Sequence, residues 1–396
     1  MAEIDLSEVG TDLGALFNVT YNGKMITGAS LEGTTLSVPA AAFGNAFGES
    51  SIMVATESGK YEIPVLLISK VLKTAEDFQA MNHIAKSYNT DKKIFDGYFV
   101  LGNNVAYNGS YVPMMDFGLG VQIMYSQLGS ITKDADGYAM YNSKYLWNMT
   151  TWKLIQNAEE SSFTQSTEGW LLHDGGRVRM SSASTRAVSM GWGGDGFRGT
   201  FDGRGYTIDG MTVGDGEVTY VGFIPALAST GVIKNVGFTN AKLNNKGTSG
   251  GFLTMLCVEG SLIENVYVQL TDITGSNSVS AIMVTDNTRS AYGAIVRDVF
   301  VDTTAIEREK DIYVLGGGYG TNSTIYCKHE GSYALVKNDA QATNAWGKGY
   351  QEGSVTAAYT SLAGLTADAT AQAELATWNT AYWTITDGVP TWNTAA

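Results

Sequence analysis

The chain has 396 residues and a formal net charge of -14, from 25 Lys+Arg against 39 Asp+Glu. An acidic excess of this size repels nucleic acid and anionic bilayers, and the positive runs that phosphate binding needs are absent, Lys92-Lys93 being the one adjacent basic pair. Gly (47) and Tyr (21) are abundant while charged residues (16%) and Pro (5) are few. That is the profile of a turn-dense all-β protein with chain enough for two or more domains, not of a cytosolic α/β enzyme.

The opening residues, Met1 to Glu8, are acidic and lack the apolar core of a signal peptide. No apolar run approaches the roughly 18 residues of a membrane span. Such a start fits a protein released by lysis, as virion proteins are, or one from which a leader has been removed. Residues 1–72 then read as a small β-sandwich, Ig-like, used for attachment or as a spacer. Its strand-like runs begin at Leu16, Thr34, Ser51 and Tyr61, and the turn signals Asn22-Gly23, Glu32-Gly33 and Ser58-Gly59 separate them.

A helix is predicted over 74–87. Thr74 is its N-cap, Glu76 and Asp77 lie in its first turn, and Phe78, Met81, Ile84 and Ala85 form its apolar face. Residues 102–195 show no period and read as early coils carrying a long insertion, where binding specificity tends to sit. A degenerate repeat follows over 197–305. One phrase recurs around Ile233-Lys-Asn235-Val236, Ile263-Glu-Asn265-Val266 and Val296-Arg-Asp298-Val299, and a second holds Ile224, Leu253 and Ile282. Units of this length stack because none can bury its apolar face alone. Asn and Asp tolerate the left-handed backbone of a sharp bend, and the residues between bends suit a pleated surface. The reading is a right-handed parallel β-helix occupying 73–396. Ile233, Ile263 and Val296 stack inward, and Asn235, Asn265 and Asp298 fall at equivalent bends. The helix at 74–87 covers the first coil's unpaired edge, a second short helix spans 367–378, and the closure runs over 366–392.

The Phe197-to-Ile208 phrase, with its Phe201-Asp202-Gly203 core, followed by the Gly-Phe-Ile and Ile-x-Asn-Val phrases, resembles the GLUG-motif repeats of bacterial and phage surface proteins. Val71 to Phe78, with Gly97 to Leu101 later, is similar to the lead-in of such repeats, and Trp383 to Trp392 to their closing segment. The second Gly of the motif is missing after Gly222 and Gly251. The resemblance implies a β-helix in an extracellular, cell-surface or virion setting and carries no catalytic residues.

The chemistry-bearing residues point the same way. His173, Asp174, Trp192, Asp195, Arg198, Asp202 and Arg204 form the densest acidic and aromatic concentration, and a β-helix lyase or hydrolase needs paired carboxylates. Yet Asp195-Gly196 and Asp202-Gly203 are turn dipeptides. Asp134-Ala-Asp136-Gly137 has the look of a calcium loop without its downstream Glu and reads as a turn. His83, His173 and His329 are scattered, so no zinc set is assembled. Cys257 lies in an apolar strand phrase and reads as a core residue, with a bridge to Cys327 across the coils left open. Neither a catalytic nor a metal or cofactor site is assigned. The candidate contacts are Trp147, Trp152, Trp170 and Trp192, whose rings could stack on sugar faces or pack internally. Trp383 and Trp392 are expected in the core.

The functional expectation is a non-enzymatic surface protein, such as a phage fibre, spike or capsid decoration. Its partners would be a cell-surface glycan or host receptor, and virion or cell-surface proteins through residues 1–72. Assembly of identical chains is compatible with this. A bacterial adhesin module, a β-helix polysaccharide lyase or hydrolase, and a spacer without ligand are the alternatives.

Overall fold

The computed structural model describes residues 1–44, 46–78, 97–111, 131–141, 144–148, 153–165, 171–173, 176–180, 197–214, 216, 221–224, 226–227, 230–245, 249–254, 256–257, 260–275, 278–285, 294–308, 312–318, 327–343, 345 and 358–395. The chain divides into two compact units, Met1–Lys70 and Val71–Ala396.

In the first unit, Ala2–Asp5, Thr35–Val38 and Ser30–Glu32 form one antiparallel sheet. Lys24–Met25, Leu16–Tyr21, Gly48–Thr56 and Gly59–Leu67 form the other. Val19, Leu36, Val38, Ile52, Val54 and Ile63 share one apolar core between the sheets. Asn22 and Gly23 both have positive φ (49° and 73°), as a two-residue hairpin turn matching strand twist requires. The unit is Ig-like in its two-sheet build only. Leu16–Tyr21 lies in the same sheet as Lys24–Met25 and Gly48–Thr56, whereas an Ig domain places its second strand with its first and fifth.

The second unit is a parallel β-solenoid. Successive coils contribute Tyr98–Leu101 with Val105–Tyr111, Thr200–Asp202 with Thr207–Val213, Val232–Asn244, Leu262–Thr274, Ala294–Asp302, Cys327–Leu335 and Ala358–Tyr359 to one ten-stranded sheet, whose tenth strand is Lys70–Leu72 beside Tyr98–Leu101. The pairing is parallel and in register, so Phe201 meets Ile233, Ile233 meets Ile263, and Ile263 meets Val296. All four side chains are buried, as are Val236, Val266 and Val299 one bend further on. The second repeated phrase builds another wall: Phe223 N–H donates to Phe252 O and Ile224 N–H to Leu253 O, while Phe252 N–H donates to Ser280 O.

The bends carry the expected residues. Asn235, Asn265 and Asp298 have φ of 56°, 50° and 50°, and Gly331 continues the line at 72°. Inside, an aromatic cluster fills the early coils: Phe223 packs edge-on to Phe201 and Phe238, and Phe238 to Phe252. Cys257 lies buried in this core as a free thiol, and its burial pushes the thiol pKa up to about 12. The side chain of Cys327 lies outside the described residues.

Only the first turn of the helix expected over 74–87 falls among the described residues. Thr74 and Asp77 cap each other reciprocally, Thr74 N–H donating to Asp77 Oδ2 and Asp77 N–H to Thr74 Oγ1. This turn drives Phe78 into the solenoid core against Tyr107. Met81, His83, Ile84 and Ala85 lie outside the described residues.

Adjacent coils are interrupted once on a large scale. Tyr98–Leu101 pairs directly with Thr200–Asp202, and Val105–Tyr111 with Thr207–Val213, although some ninety residues separate them in sequence. Part of that insertion forms a seven-stranded antiparallel sheet running from Thr132–Lys133 to Gly176–Met180. Residues 102–111 thus belong to a coil, and the insertion has antiparallel structure of its own.

Beyond the last coil the helix expected over 367–378 is two helices, Leu362–Ala367 and Ala369–Leu375. Asp368 is extended (φ -82°, ψ 101°) and caps the second by accepting from Thr370 N–H and Ala371 N–H, which breaks the run. A hairpin follows, Trp383–Thr386 with Val389–Trp392, turning at Asp387 and Gly388. This closing segment is a strap laid back over the solenoid. Trp378, Trp383 and Trp392 pack in one cluster with Phe300, Tyr333 and Tyr359, and Ala395 N–H donates to Gly205 O. Trp383 and Trp392 are buried, as expected for a closing core.

Two substitutions test this architecture. Ile263→Asp puts a charge into the dry interior and is expected to cost about 4 kcal/mol or more, read as loss of the cooperative urea transition of residues 71–396. Gly237 has room for no side chain, because a β-carbon there would lie 2.7 Å from Trp392 Nε1. Gly237→Ala should lift the strap at a cost of about 1–3 kcal/mol, with increased quenching of tryptophan fluorescence by acrylamide.

Candidate functional site

In a stack of parallel coils every side chain faces its own equivalent, and polar side chains at the bends form ladders. Asn265 Nδ2 donates to Asn235 Oδ1 (3.1 Å), and Asn235 Nδ2 donates to Asp202 Oδ1 (3.0 Å). Asp202 anchors the line. Its coil has a longer bend, with Arg204 (φ 52°) and Gly205 (φ 83°) left-handed, and the Asp202 carboxylate reaches into the first place of the ladder. Oδ1 also accepts from Arg204 N–H and Oδ2 from Tyr98 Oη, with Lys234 Nζ at 3.8 Å.

One residue before the bends runs a second line. Asp202, Lys234, Glu264, Arg297 and Glu330 are consecutive in register, and their charges alternate. Arg297 bridges both neighbours, at 2.8 Å to Glu264 and 2.6 Å to Glu330. These hydrogen bonds raise the Arg297 pKa further and hold the guanidinium charged. At the next bend Asp298 is half-buried. Burial first, then Glu264, pushes its carboxyl up to about 6, with Glu374 and Glu330 adding to the rise and Arg297 opposing it.

The residues after the bend form a third line that the strap covers. Gly237, Tyr267, Phe300 and Tyr333 are in register, with the Tyr267 and Phe300 rings stacked at 6.4 Å and 11°. Burial, with Asp302 nearby, pushes the Tyr267 phenol up to about 12. Tyr333 donates to Glu374 and Tyr359 donates to Asp368 at 2.8 Å, and burial together with these acceptors raises both phenols above their usual range. The indole nitrogens of Trp378, Trp383 and Trp392 are buried without an acceptor.

The residues singled out from the sequence fare unevenly. Trp147 lies on the strand Lys144–Asn148, opposite Leu154 and Arg179, and its side chain is outside the described residues. Trp152, Trp170 and Trp192 lie outside them altogether, as do Asp174 and Asp195. His173 ends the strand Leu171–His173 with its ring against Phe163. Asp202 ends the strand Thr200–Asp202 one place before the bend, so it is not itself the bend residue its Asp-Gly context suggests, but its carboxylate is tied to backbone and ladder. Asp134 closes a turn on Asp136 N–H and Tyr138 N–H, so the calcium-like phrase folds as a turn. Among the described residues no group of three or more His, Cys, Asp or Glu converges as a metal site. No helix among them is long and apolar enough to cross a membrane.

Asp298 was legible as a bend, but its neighbours across Gly331, Glu374 and Trp378, come from the strap and were not. The alternating line was available as the residue just before each Asn or Asp. With this geometry in view, the chain matches no family model, no curated protein and no solved structure.

Removing one rung of the amide ladder tests its weight. Asn235→Ala strips a donor from buried Asp202 and an acceptor from Asn265. It should cost about 1–3 kcal/mol in urea denaturation, while Asn240→Ala at an exposed bend should cost less.

Proposed function

We propose that the protein is a non-enzymatic extracellular or virion surface protein that presents a β-solenoid for attachment to a host receptor or glycan. The observation that carries this reading is the way polar groups are used. The bend and charge lines pair largely with themselves from coil to coil, through Asp202, Asn235 and Asn265 in one and Glu264, Arg297 and Glu330 in the other. Asp202, the one acidic residue of the sequence cluster among the described residues, has both carboxylate oxygens engaged in holding the coils together. A general acid or base needs a carboxyl group able to reach a substrate.

The insertion between the first two coils supports the display role. It is spliced in while the strands on either side stay paired in parallel, with one register shift between Ala106 and Gly109. It also carries Trp147, Trp152, Trp170 and Trp192, the aromatic residues best suited to stacking on sugars. Attachment through residues 1–70, as a unit with its own core, completes this reading.

The test is a glycan array with wild type and a variant replacing those four tryptophans with Ala, beside turnover assays on acidic and neutral polysaccharides. Binding that falls about tenfold or more in the variant, with no turnover by wild type, is expected. Turnover by wild type that Asp195→Ala/Asp202→Asn abolishes would replace this reading with the lyase or hydrolase alternative.

A further inference from the structure

Along the bend line each amide hands one hydrogen bond to the coil before it and leaves its own Oδ1 for the coil after it. After Asn265 the next residue in register is Asp298, because Ile263 pairs with Val296 and Val266 with Val299. Asn265 Oδ1 is buried and has no donor on it. An ionised carboxylate has no hydrogen to give, whereas a carboxylic acid has one.

The strap supplies the rest of the surroundings. A β-carbon on Gly331 would lie 2.9 Å from Trp378 Nε1 and 3.2 Å from both Asp298 Oδ1 and Glu374 Oε1. The two carboxyl groups therefore face one notch, opened by the missing side chain at 331 and walled by a buried indole. Glu264 stands on the coil before and Glu330 on the coil after, and Arg297 is already shared between them. Glu374 receives the Tyr333 hydroxyl, which sets it as the acceptor of the pair.

We propose that Asp298 is protonated in the folded protein, donates to Asn265 Oδ1, and so serves as a pH-released latch between the solenoid and the strap of residues 362–395. The carboxyl pKa, raised by burial and by Glu264 to about 6 from its ordinary 3.8, agrees with this geometry. For an acid raised in the folded state, the contribution to stability is full below the ordinary carboxylate range and is lost as pH rises through about 6. Above that, a charged Asp298 confronts Glu374 across the notch and the amide ladder ends on an unmet acceptor.

Asp298→Asn keeps the shape, tolerates the left-handed bend and can donate to Asn265 at any pH. Thermal unfolding of the full chain, wild type against this variant, is compared at about pH 4 and about pH 8. The two should melt together at the lower pH, and the variant should melt several degrees higher at the upper one. Over the same range wild-type tryptophan emission should shift red as the strap loosens, and the variant's should not. Glu374→Gln removes one of the charges that raise the Asp298 carboxyl, so it should move the midpoint of the transition to lower pH and shrink the loss of stability at the upper pH. A difference between wild type and Asp298→Asn that is equal at both pH values overturns the proposal. Should the variant fail to fold, carboxyl carbon NMR of wild type decides. An Asp298 midpoint near 6 supports the latch, and one at or below the ordinary value sinks it.

Discussion

In-register parallel stacking is the constraint on which the rest of this molecule depends. It sets each side chain about 4.8 Å from its equivalent on the next coil, so whatever one coil presents must be compatible with a near-copy of itself. Apolar residues meet that demand without cost, as Ile233, Ile263 and Val296 do. Amides meet it because each can donate and accept in the same direction, and the Asn235–Asn265 pair does so. Charges of one sign cannot meet it, and here they alternate. Where a carboxyl group stands in the amide line with no basic residue at its own register, as at Asp298, burial and the neighbouring carboxylates raise its pKa, and the proposed latch is one way to meet the conflict.

The strap answers a second consequence of the same geometry. An outward aromatic row, Tyr267, Phe300 and Tyr333, would expose apolar surface along the rod, and the closing segment buries it under three tryptophans. Glycines 237 and 331 are where those indoles come down. At 237 the reason is space alone, and at 331 it is space together with a positive φ. Strap and solenoid are therefore one packing unit.

What could be read from the sequence was whatever the local chain decides. The left-handed tolerance of Asn and Asp marked the bends at 235, 265 and 298, and the apolar residues around them marked the inward face. Thr74 and Asp77 declared a helix start. What could not be read depended on distant partners. Nothing near Asp298 announces Glu374 or Trp378, which arrive from the far side of two further coils. Asp368 breaks the final helix because it caps a new one while accepting from Tyr359, and that tertiary hydrogen bond has no local signature. In the insertion the strands are too short for a period to show, so its antiparallel sheet was illegible. The aromatic residues of the candidate contact surface, Trp152, Trp170 and Trp192, lie outside the described residues, and of Trp147 the structure shows the strand alone.

The alternating line of Asp202, Lys234, Glu264, Arg297 and Glu330 also bears on how such a rod can change length over evolutionary time. The backbone repeats every coil, but the charge pattern repeats every second one. Deleting the coil of Glu264 would seat Lys234 on Arg297, and deleting that of Arg297 would seat Glu264 on Glu330. Unequal recombination that gains or loses a single coil is thus penalised by like-charge contact, while gain or loss of two at a time is not. The sign alternation works as a parity rule, and rods descended from this one by whole-coil changes should differ in length by even steps.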